Sequence, residues 1–268
     1  MRISGLSHAK KAVYATLAAT LLMVFLHWPL AWIPPLLLGA VCVVTPFFHR
    51  CSFYLPVISR GLKDARAVAL TFDDGPHPES TPELIRLLGI HGVRATFFVV
   101  GRRVHAHPDL IRNILDAGHT LGNHSFEHDH WIAFKGKQAL MADIAATQRE
   151  LEAHGVVPEV YRPPVGITYP GLGPVLSDLG LKAVTFSCRA LDRGNQTVAR
   201  LSQRILRQVS PGDIIMLHDL PPREEDRVHW LSEVSAVLEG LKTRQMAILP
   251  LESIIGCPVD RRIETKKE

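Results

Sequence analysis

Two adjacent carboxylates, Asp73 and Asp74, stand between an apolar segment and a glycine–proline turn in the sequence TFDDGPHPES, residues 71–80. Like charges this close repel each other, so such a pair is costly unless a cation or a reaction makes use of it. Asp-Gly and Gly-Pro are also ordinary turn sequences. Taken alone, the stretch is more typical of a solvated turn than of a catalytic site. Its role depends on which other polar residues the fold brings beside it.

A pair of histidines four residues apart, His124 and His128, occurs in the sequence NHSFEHDH, residues 123–130. On a helical turn this spacing places both imidazoles on one face, where they can bind one metal ion, and His130 points away from that face. A single His pair is also common on helix surfaces, so it predicts a metal site only where another element supplies a third ligand. Two histidines and one carboxylate leave an open position for water, as in hydrolytic zinc sites.

The elements that must position these residues alternate between short apolar runs and helical patterns from residue 67 onward, which is typical of β/α units. Strands are predicted at residues 67–72, 95–100, 119–122, 160–162, 182–187, 213–217 and 246–249. Helices are predicted from residue 81 to Gly89 or Gly92 and at residues 108–117, 137–154, 171–179, 198–209 and 228–242. The pattern predicts an α/β fold, a deformed (β/α) barrel of about seven strands, one strand short of the usual eight.

Polar residues follow five of the predicted strands, at the carboxyl ends where barrels of this type hold their chemistry. They are Asp73 and Asp74 after the first strand, Asn123 and His124 after the third, Arg162 after the fourth, Cys188 to Asp192 after the fifth and His218 after the sixth. We expect these side chains to converge on one rim of the barrel. A solvated turn does not predict such convergence, so the two adjacent carboxylates are predicted to belong to a site.

Four motifs, TFDDGP, HSFEH, RPPVG and IIMLH, resemble the ordered motifs of the polysaccharide deacetylase family over roughly residues 67–250. This family is the NodB-homology domain, carbohydrate esterase family four. The resemblance implies the NodB-homology fold and a metal-dependent carbohydrate deacetylase, a hydrolase that acts on linear amide C–N bonds. The implied substrate is an N-acetylated amino sugar in a polysaccharide or in a lipid-linked glycan.

By the same resemblance, one divalent metal ion is bound by Asp74, His124 and His128. The metal is most often zinc, with cobalt, nickel or manganese as alternatives. Asp73 is implied to be the general base, and His218 the general acid that protonates the leaving amine. The two adjacent carboxylates then have separate roles, because Asp74 binds the metal and Asp73 accepts a proton.

The resemblance implies three supporting roles and shows two departures. The backbone N–H of Val165 is implied to stabilise the developing oxyanion, Arg162 to orient the base and Asp192 to orient the acid. A plain surface ion pair is the alternative for Arg162. The family commonly has an aromatic residue at position 165 and Trp at position 193. Arg193 either faces an anionic group such as a phosphate or points to solvent, and Arg193 and Met216 are the predicted substrate-binding residues.

Positive charge is concentrated near the N-terminus. Residues 1–66 contain seven Lys and Arg residues against one acidic residue, a net charge of +6, whereas the whole chain has +4 and residues 67–268 therefore have −2. A nucleic-acid-binding domain presents a basic face on its folded body, so no nucleic-acid partner is predicted. Basic residues that flank an apolar stretch predict contact with anionic lipid headgroups instead.

The apolar stretch runs from residue 12 to residue 48, and its 37 residues include no Lys, Arg, Asp or Glu. It is too long for the core of a signal peptide and nearly long enough for two membrane spans of about 20 residues each. Prolines and tryptophans between Trp28 and Pro35 suit the tip of a hairpin. We predict a transmembrane helical hairpin. A single span, a re-entrant second helix and a hairpin buried in a soluble fold are the alternatives.

The predicted organisation is a membrane anchor with linker at residues 1–66, a deacetylase domain at residues 67–255 and a charged tail at residues 256–268. Basic residues flank both ends of the apolar run, which predicts an integral protein of a bacterial-type inner (cytoplasmic) membrane with its catalytic domain in the cytoplasm. The four cysteines form neither a CxxC pair nor a disulfide framework, and they favour the same side.

Two other functions stay open on the sequence. A deformylase or other amidase acting on a polyprenyl-phosphate-linked sugar would use the same residues, and its phosphate would suit Arg193. A catalytically inactive glycan-binding protein would keep the fold, but the complete set of implied catalytic residues argues against it.

Overall fold

The computed structural model describes residues 7–61 and 66–263, in which helices and strands alternate from residue 67 onward. Its strands are β1 (Val57–Ile58), β2 (Ala67–Asp73), β3 (Thr96–Val99), β4 (Thr120–Asn123), β5 (Val156–Pro158), β6 (Val160–Tyr161), β7 (Lys182–Val184), β8 (Cys188–Arg189), β9 (Ile214–His218), β10 (Ala247–Ile248) and β11 (Asp260–Arg262). Its α-helices are α1 (His8–Phe25), α2 (Ile33–Val44), α3 (Thr81–Ile90), α4 (Gly101–Ala106), α5 (Pro108–Asp116), α6 (Gly136–Ala153), α7 (Leu172–Asp178), α8 (Leu201–Gln208), α9 (Arg227–Thr243) and α10 (Leu251–Ile255).

A parallel sheet forms the centre of the fold in the order β1-β7-β6-β4-β3-β2-β9-β8, and β10 pairs with the start of β2. Strands β7 and β8 lie near opposite ends of this order, although only residues 185–187 separate them in the chain. Three linking residues reach roughly 10 to 15 Å, so the two edges of the sheet must approach each other. The sheet is therefore curled into a partial barrel, and the predicted α/β barrel architecture is confirmed.

Strand β2 lies in the interior of the sheet, between β3 and β9, and all seven of its residues are buried. A parallel strand covered on both faces needs a nearly continuous apolar sequence, which AVALTFD provides until its last residue. Phe72 packs in the main apolar cluster with residues from the surrounding helices, such as Trp230 of α9. Asp73 therefore emerges at the centre of the rim, where it lies in register with His218 of β9.

The predicted strand at residues 182–187 is divided in the structure. The backbone N–H of Thr185 donates to Ile58, but the N–H of Ser187 donates to Ile214. The chain thus changes partner from β1 to β9 within three residues, and the strand breaks there. Strands β1, β5 and β11 and helices α4 and α10 are not predicted from the sequence, because segments of two to six residues show too little periodicity.

The segment predicted as a charged tail begins inside the fold. Strand β11 pairs antiparallel with β5, and the carboxylate of Asp260 accepts a hydrogen bond of 2.7 Å from the backbone N–H of Leu121. Residues 264–268 lie outside the described residues, as do residues 62–65, which include Lys63 of the basic N-terminal set.

The N-terminal apolar run forms a hairpin of two helices, α1 and α2, which pack on each other and are joined by residues 26–32. Pro34 and Pro35 occupy the first turn of α2, where the missing N–H costs no helical hydrogen bond. No helix within residues 7–61 and 66–263 is both long enough and apolar enough to cross a membrane. The predicted transmembrane helix is therefore not found there.

Candidate active site

The two adjacent carboxylates at the end of β2 have different partners. Asp73 is the last residue of the strand and contacts Arg162, whereas Asp74 contacts His124 and His128. The backbone of Asp74 is left-handed, with φ of 73°, a conformation that Asp adopts more readily than most residues. This change of backbone conformation lets neighbouring side chains serve separate parts of one site.

Arg162 is fully buried beneath Asp73 and is fixed by several hydrogen bonds. Its Nη1 donates to Oδ1 of Asp73 at 2.5 Å and to Oγ1 of Thr71 at 2.8 Å, and its Nη2 donates to the carbonyl of Thr185 at 2.9 Å. The guanidinium also stacks 3.8 Å from the centre of the Phe98 ring. A buried cation in this position pairs with the Asp73 carboxylate and fixes its orientation. The alternative of a surface ion pair is excluded.

Asp74, His124 and His128 lie together, with one ligand atom from each within 4.8 Å of the others. Nε2 of His124 is 3.4 Å and Nε2 of His128 is 3.0 Å from Oδ1 of Asp74. Nδ1 of His124 donates to the backbone carbonyl of Arg162 at 2.7 Å, which leaves the lone pair on Nε2. Oδ1 of Asp74 is buried without a hydrogen-bond partner in the described chain. A buried, unpartnered carboxylate oxygen between two imidazoles fits a divalent cation.

Electrostatic interactions within this cluster shift the pKa values of its members. Burial by itself raises the pKa of Asp74, but the interactions with His124 and His128 outweigh it and hold the pKa well below its ordinary value. Burial lowers the pKa of His124, and the nearby carboxylates Asp74 and Asp73 reverse that effect and raise it. Asp74 is therefore ionised at neutral pH, as metal ligation requires.

The two histidines do not lie on a helical turn, and the sequence prediction is wrong on this point. They belong to an irregular loop after β4 in which Ser125 and His128 have left-handed φ angles of 69° and 55°. Asp143 of α6 holds the loop by accepting from the two backbone N–H groups that follow Ser125, both at 3.0 Å. His130 is exposed and its ring packs edge-on against His128, with 5.2 Å between centroids. Loop geometry, not helical spacing, brings the two imidazoles together.

His218 lies on β9 next to Asp73 of β2, and its imidazole pairs with the buried carboxylate of Asp192. Its Nδ1 donates to Oδ2 of Asp192 at 2.9 Å. Burial lowers the pKa of His218, but the hydrogen bond and charge of Asp192, with smaller contributions from Asp74 and Asp73, raise it to about 9. His218 is therefore protonated at neutral pH. Because Nδ1 is used by Asp192, the proton on Nε2 is the one available for transfer.

A cavity of about 410 Å³ opens at these residues. Every predicted site residue lines it except Arg162, which lies beneath Asp73. The lining consists of Asp73, Asp74, His124, His128, Val165, Gly166, Phe186, Arg189, Leu191, Asp192, Arg193, Met216 and His218. Gly166 and Phe186 are lining residues that the sequence did not predict, and Arg189 and Leu191 lie in the range Cys188 to Asp192 that was predicted for the rim without a role of their own. Phe186 precedes the short strand β8, Arg189 ends it and Leu191 follows it, and the sequence pattern does not show β8 as a separate strand.

The remaining predicted residues, Val165, Arg193 and Met216, differ in backbone conformation and exposure. Val165 has a left-handed φ of 53°, which a β-branched residue seldom adopts, and its side chain is 53% exposed. Arg193 is exposed and also left-handed, with φ of 52°, whereas Met216 is buried in the floor. Such backbone strain is concentrated at functional sites in proteins.

A buried acid next to His218 was not predicted as part of the site. Asp219 accepts hydrogen bonds of 2.6 Å from the hydroxyls of both Ser80 and Thr81, and burial raises its pKa to about 6. A Cβ atom on Gly75 would lie 2.2 Å from a carboxylate oxygen of Asp219. Asp219 thus packs against the turn that follows Asp74. The glycine of the TFDDGP motif is the one sequence signal for this close approach.

The chain is similar in sequence to known deacetylases. The polysaccharide deacetylase family profile matches residues 60–184. A chitooligosaccharide deacetylase from Azorhizobium caulinodans is 31% identical over 204 residues, which is 72% of this chain and 96% of the relative. A peptidoglycan-N-acetylglucosamine deacetylase from Bacillus cereus is 28% identical over 192 residues, 71% of this chain and 88% of the relative.

Solved structures are similar as well. The Bc1960 peptidoglycan N-acetylglucosamine deacetylase, crystallised with a naphthalenyl-N-hydroxybenzamide, superposes with a TM-score of 0.71 at 26% identity and covers 76% of this chain and 95% of its own. A family 4 carbohydrate esterase from Streptomyces lividans, in complex with acetate, gives a TM-score of 0.61 at 29% identity, covering 70% and 93% of the two chains.

Proposed function

Because the chain belongs to the polysaccharide deacetylase family, we propose that it is a metal-dependent hydrolase that removes the N-acetyl group from an amino sugar of a glycan. The observation that supports this most directly is the separation of the two carboxylates. Asp73 contacts a buried arginine, and Asp74 contacts two histidines with an unpartnered oxygen between them. One site then offers a proton acceptor and a set of metal ligands side by side.

Asp74, His124 and His128 would hold the metal, which we propose to be zinc, with cobalt, nickel or manganese as alternatives. When bound, the metal would supply Lewis-acid stabilisation of the negative charge that develops on the amide oxygen. The backbone N–H of Val165, at the edge of the same cavity, is proposed as a second donor to that oxygen.

Asp73 is proposed as the general base. Its Oδ1 is occupied by Arg162, so Oδ2 is the oxygen that takes a proton from the attacking water. His218 is the proposed general acid, because Asp192 raises the pKa of its imidazole to about 9 and keeps it protonated. The base and the acid are in register on neighbouring strands. They can therefore act on the two ends of one reaction, water activation and departure of the amine.

The test is acetate release from a chitooligosaccharide by the purified protein loaded with zinc. We expect the native chain to release acetate and the Asp73→Asn variant to lose this activity. Asp109 is an exposed carboxylate paired with Arg112, so Asp109→Asn is the matched control that should keep full activity. A zinc-loaded protein that releases no acetate from this or any other N-acetylated amino sugar contradicts the proposal. It would leave the amidase described next and the inactive glycan-binding protein as the remaining interpretations.

A second candidate is an amidase, such as a deformylase, that acts on a sugar carried by a polyprenyl phosphate. Arg189 and Arg193 line the cavity, and guanidinium groups bind phosphate oxygens in a bidentate manner. Position 193, where the family commonly has Trp, is the feature that favours an anionic substrate. Release of formate rather than acetate, from membrane glycolipids incubated with the protein, would support this candidate.

We also propose that the protein associates with a bacterial-type inner membrane and that its catalytic domain faces the cytoplasm. Lys10 and Lys11 lie in the first turn of α1 and Arg50 lies just beyond α2, and basic flanks favour the cytoplasmic side. Cys257 is partly exposed in the catalytic domain, whereas burial raises the pKa of Cys188 to about 12 and makes it inert.

The location is tested by labelling Cys257 in intact cells with a membrane-impermeant thiol reagent, after Cys42 and Cys51 have been replaced by Ser. Labelling is expected only after lysis. Labelling of intact cells would place the catalytic domain outside.

A further inference from the structure

The hairpin of α1 and α2 has a large exposed apolar surface. No residue from 7 to 50 is buried. Large side chains are more than half exposed along its whole length, for example Phe25 at 79%, Trp32 at 57% and Phe47 at 71%. Contiguous apolar surface of this kind marks a contact with another molecule or with a membrane.

The charges of the hairpin distinguish its two ends. Lys10 and Lys11 lie in the first turn of α1, and Arg50 lies just beyond α2, so the basic residues share the base of the hairpin. Trp28 and Trp32 lie at the opposite end, and no charged residue stands between residues 12 and 48. The basic residues at the base of the hairpin match the headgroup layer of an anionic bilayer, and its apolar tip matches the acyl layer.

A second group of exposed apolar residues surrounds the cavity. Trp131 and Phe134 are 69% and 82% exposed on the loop that follows the metal-ligand histidines. Val165 and Leu191 are 53% and 60% exposed and line the cavity itself. We call these four residues the rim patch. They all lie on loops that follow the carboxyl ends of sheet strands, so they share one side of the barrel.

The base of the hairpin is attached to this same side. His49 stacks on Phe186 of the cavity wall with 4.6 Å between ring centroids, and the hydroxyl of Thr185 donates to the carbonyl of His49 at 2.6 Å. Leu55 packs in one apolar cluster with Ile132, the residue that follows Trp131. The hairpin base therefore contacts the cavity wall, and the segment that follows the hairpin packs in the same apolar cluster as a neighbour of Trp131.

We propose that the hairpin and the rim patch form one surface that docks on an anionic lipid bilayer, with the mouth of the cavity open to the headgroup layer. The cationic side chains at the mouth, Arg189 and Arg193, complement that layer. The consequence for the substrate rests on the proposed function: the acylated amino sugar is presented at the membrane surface, and the protein takes it from there.

Tryptophan quenching by brominated lipids tests the rim directly. The full chain contains Trp28, Trp32, Trp131 and Trp230, and Trp230 is only 1% exposed. With Trp28→Phe and Trp32→Phe in place, Trp131 is the exposed emitter. We expect vesicles of phosphatidylglycerol and acyl-brominated phosphatidylcholine to quench its emission, and the matched triple variant with Trp131→Phe to show no quenching of the remaining Trp230.

Two results would overturn the proposal. The first is a protein that does not sediment with the vesicles. The second is one that sediments through its hairpin while Trp131 stays unquenched, because the rim patch would then face away from the lipid. Replacing both Phe25 and Phe47 by Ser should weaken vesicle binding by at least about tenfold, since each removes most of the transfer free energy of one large apolar side chain. Unchanged binding of this variant would exclude the hairpin from the surface.

Failure of the proposed function gives a different result from failure of the docking surface. Zinc binding by the two-phenylalanine variant, measured without lipid, shows that its catalytic domain is folded. Acetate release from a soluble chitooligosaccharide is measured with no vesicles present, so its absence bears on the proposed function alone. Acetate release together with unquenched Trp131 would support the proposed function and contradict the proposed docking surface.

Discussion

The base side of the candidate site, Asp73 with Arg162, differs from the metal side, Asp74 with His124 and His128, in how completely the protein satisfies its polar atoms. Both guanidinium Nη atoms of Arg162 donate to protein oxygens. On the metal side, a buried oxygen of Asp74 has no hydrogen-bond partner within the described chain. The base side is therefore complete when the chain folds, whereas the metal side keeps a buried oxygen that the proposed cation would bind.

The two sides also differ in the backbone that supports them. Asp73 belongs to strand β2, and Arg162 directly follows β6, so the base side rests on the sheet. Asp74 and His128 have left-handed backbones in loops. Residues on a sheet are held by packing that no ligand changes, and residues on loops gain rigidity from what they bind. The difference predicts that metal removal and base removal have separable effects.

The largest expected effect is that of His128→Ala. The metal side loses a ligand and the site loses its cation, so we expect stoichiometric zinc to disappear and activity to fall by more than about 10⁴-fold, within the range of typical enzymatic accelerations. Metal analysis and acetate release check this. His130→Ala, which removes an exposed imidazole beside the site, is the control and should keep both. Normal zinc content in His128→Ala would break the assignment of the metal side.

The next effect concerns stability and tests the base side. Arg162→Met leaves Asp73 as a buried carboxylate without its partner, which should lower the free energy of unfolding by about 3–5 kcal/mol. Arg86→Met removes one member of an exposed pair with Glu83 and should cost about 0–1 kcal/mol. Urea unfolding measures both.

A double variant sharpens the result for the base side. Adding Asp73→Asn to Arg162→Met removes the stranded charge, and part of the lost stability should return. If the double variant and Arg162→Met lose the same free energy of unfolding, Arg162 acts through packing on Phe98 rather than through the ion pair.

The smallest effect is a shift in pH dependence. Asp192 raises the pKa of His218 to about 9, so activity that needs a protonated His218 should decline as the pH rises through that value. In Asp192→Asn the carboxylate charge is gone and the pKa of His218 falls. The alkaline limb of the pH–rate profile should then move to lower pH by about one unit or more. An unmoved alkaline limb would remove His218 from the role of general acid.

The sequence predicted the base side and the acid side better than it predicted the metal side. Asp73 and His218 are the last residues of the apolar strands β2 and β9, and their positions follow from the register of those strands. His124 and His128 were predicted as a pair but on the wrong local structure, because left-handed backbone at non-glycine residues has no sequence periodicity.

Other features depend on contacts between distant segments. Asp219 bonds to Ser80 and Thr81, which lie 139 and 138 residues away in the sequence, and one chain does not reveal such a pairing. The break in the strand at residues 182–187 has the same origin, since it arises where two different strands compete for one segment. The prolines and the apolar composition of residues 12–48 predicted the hairpin, but each of its two helices is shorter than that apolar run.

The most direct measurement compares the zinc content and the rate of acetate release of Asp73→Asn with those of Asp74→Asn. The two residues are neighbours, and the two substitutions are chemically identical, so the comparison isolates position. Asp73→Asn is predicted to bind zinc normally and to lose about 10²–10⁴-fold in rate, the usual scale for a general base. Asp74→Asn is predicted to lose zinc and activity together. Equal zinc content in the two variants would contradict the division between a base side and a metal side.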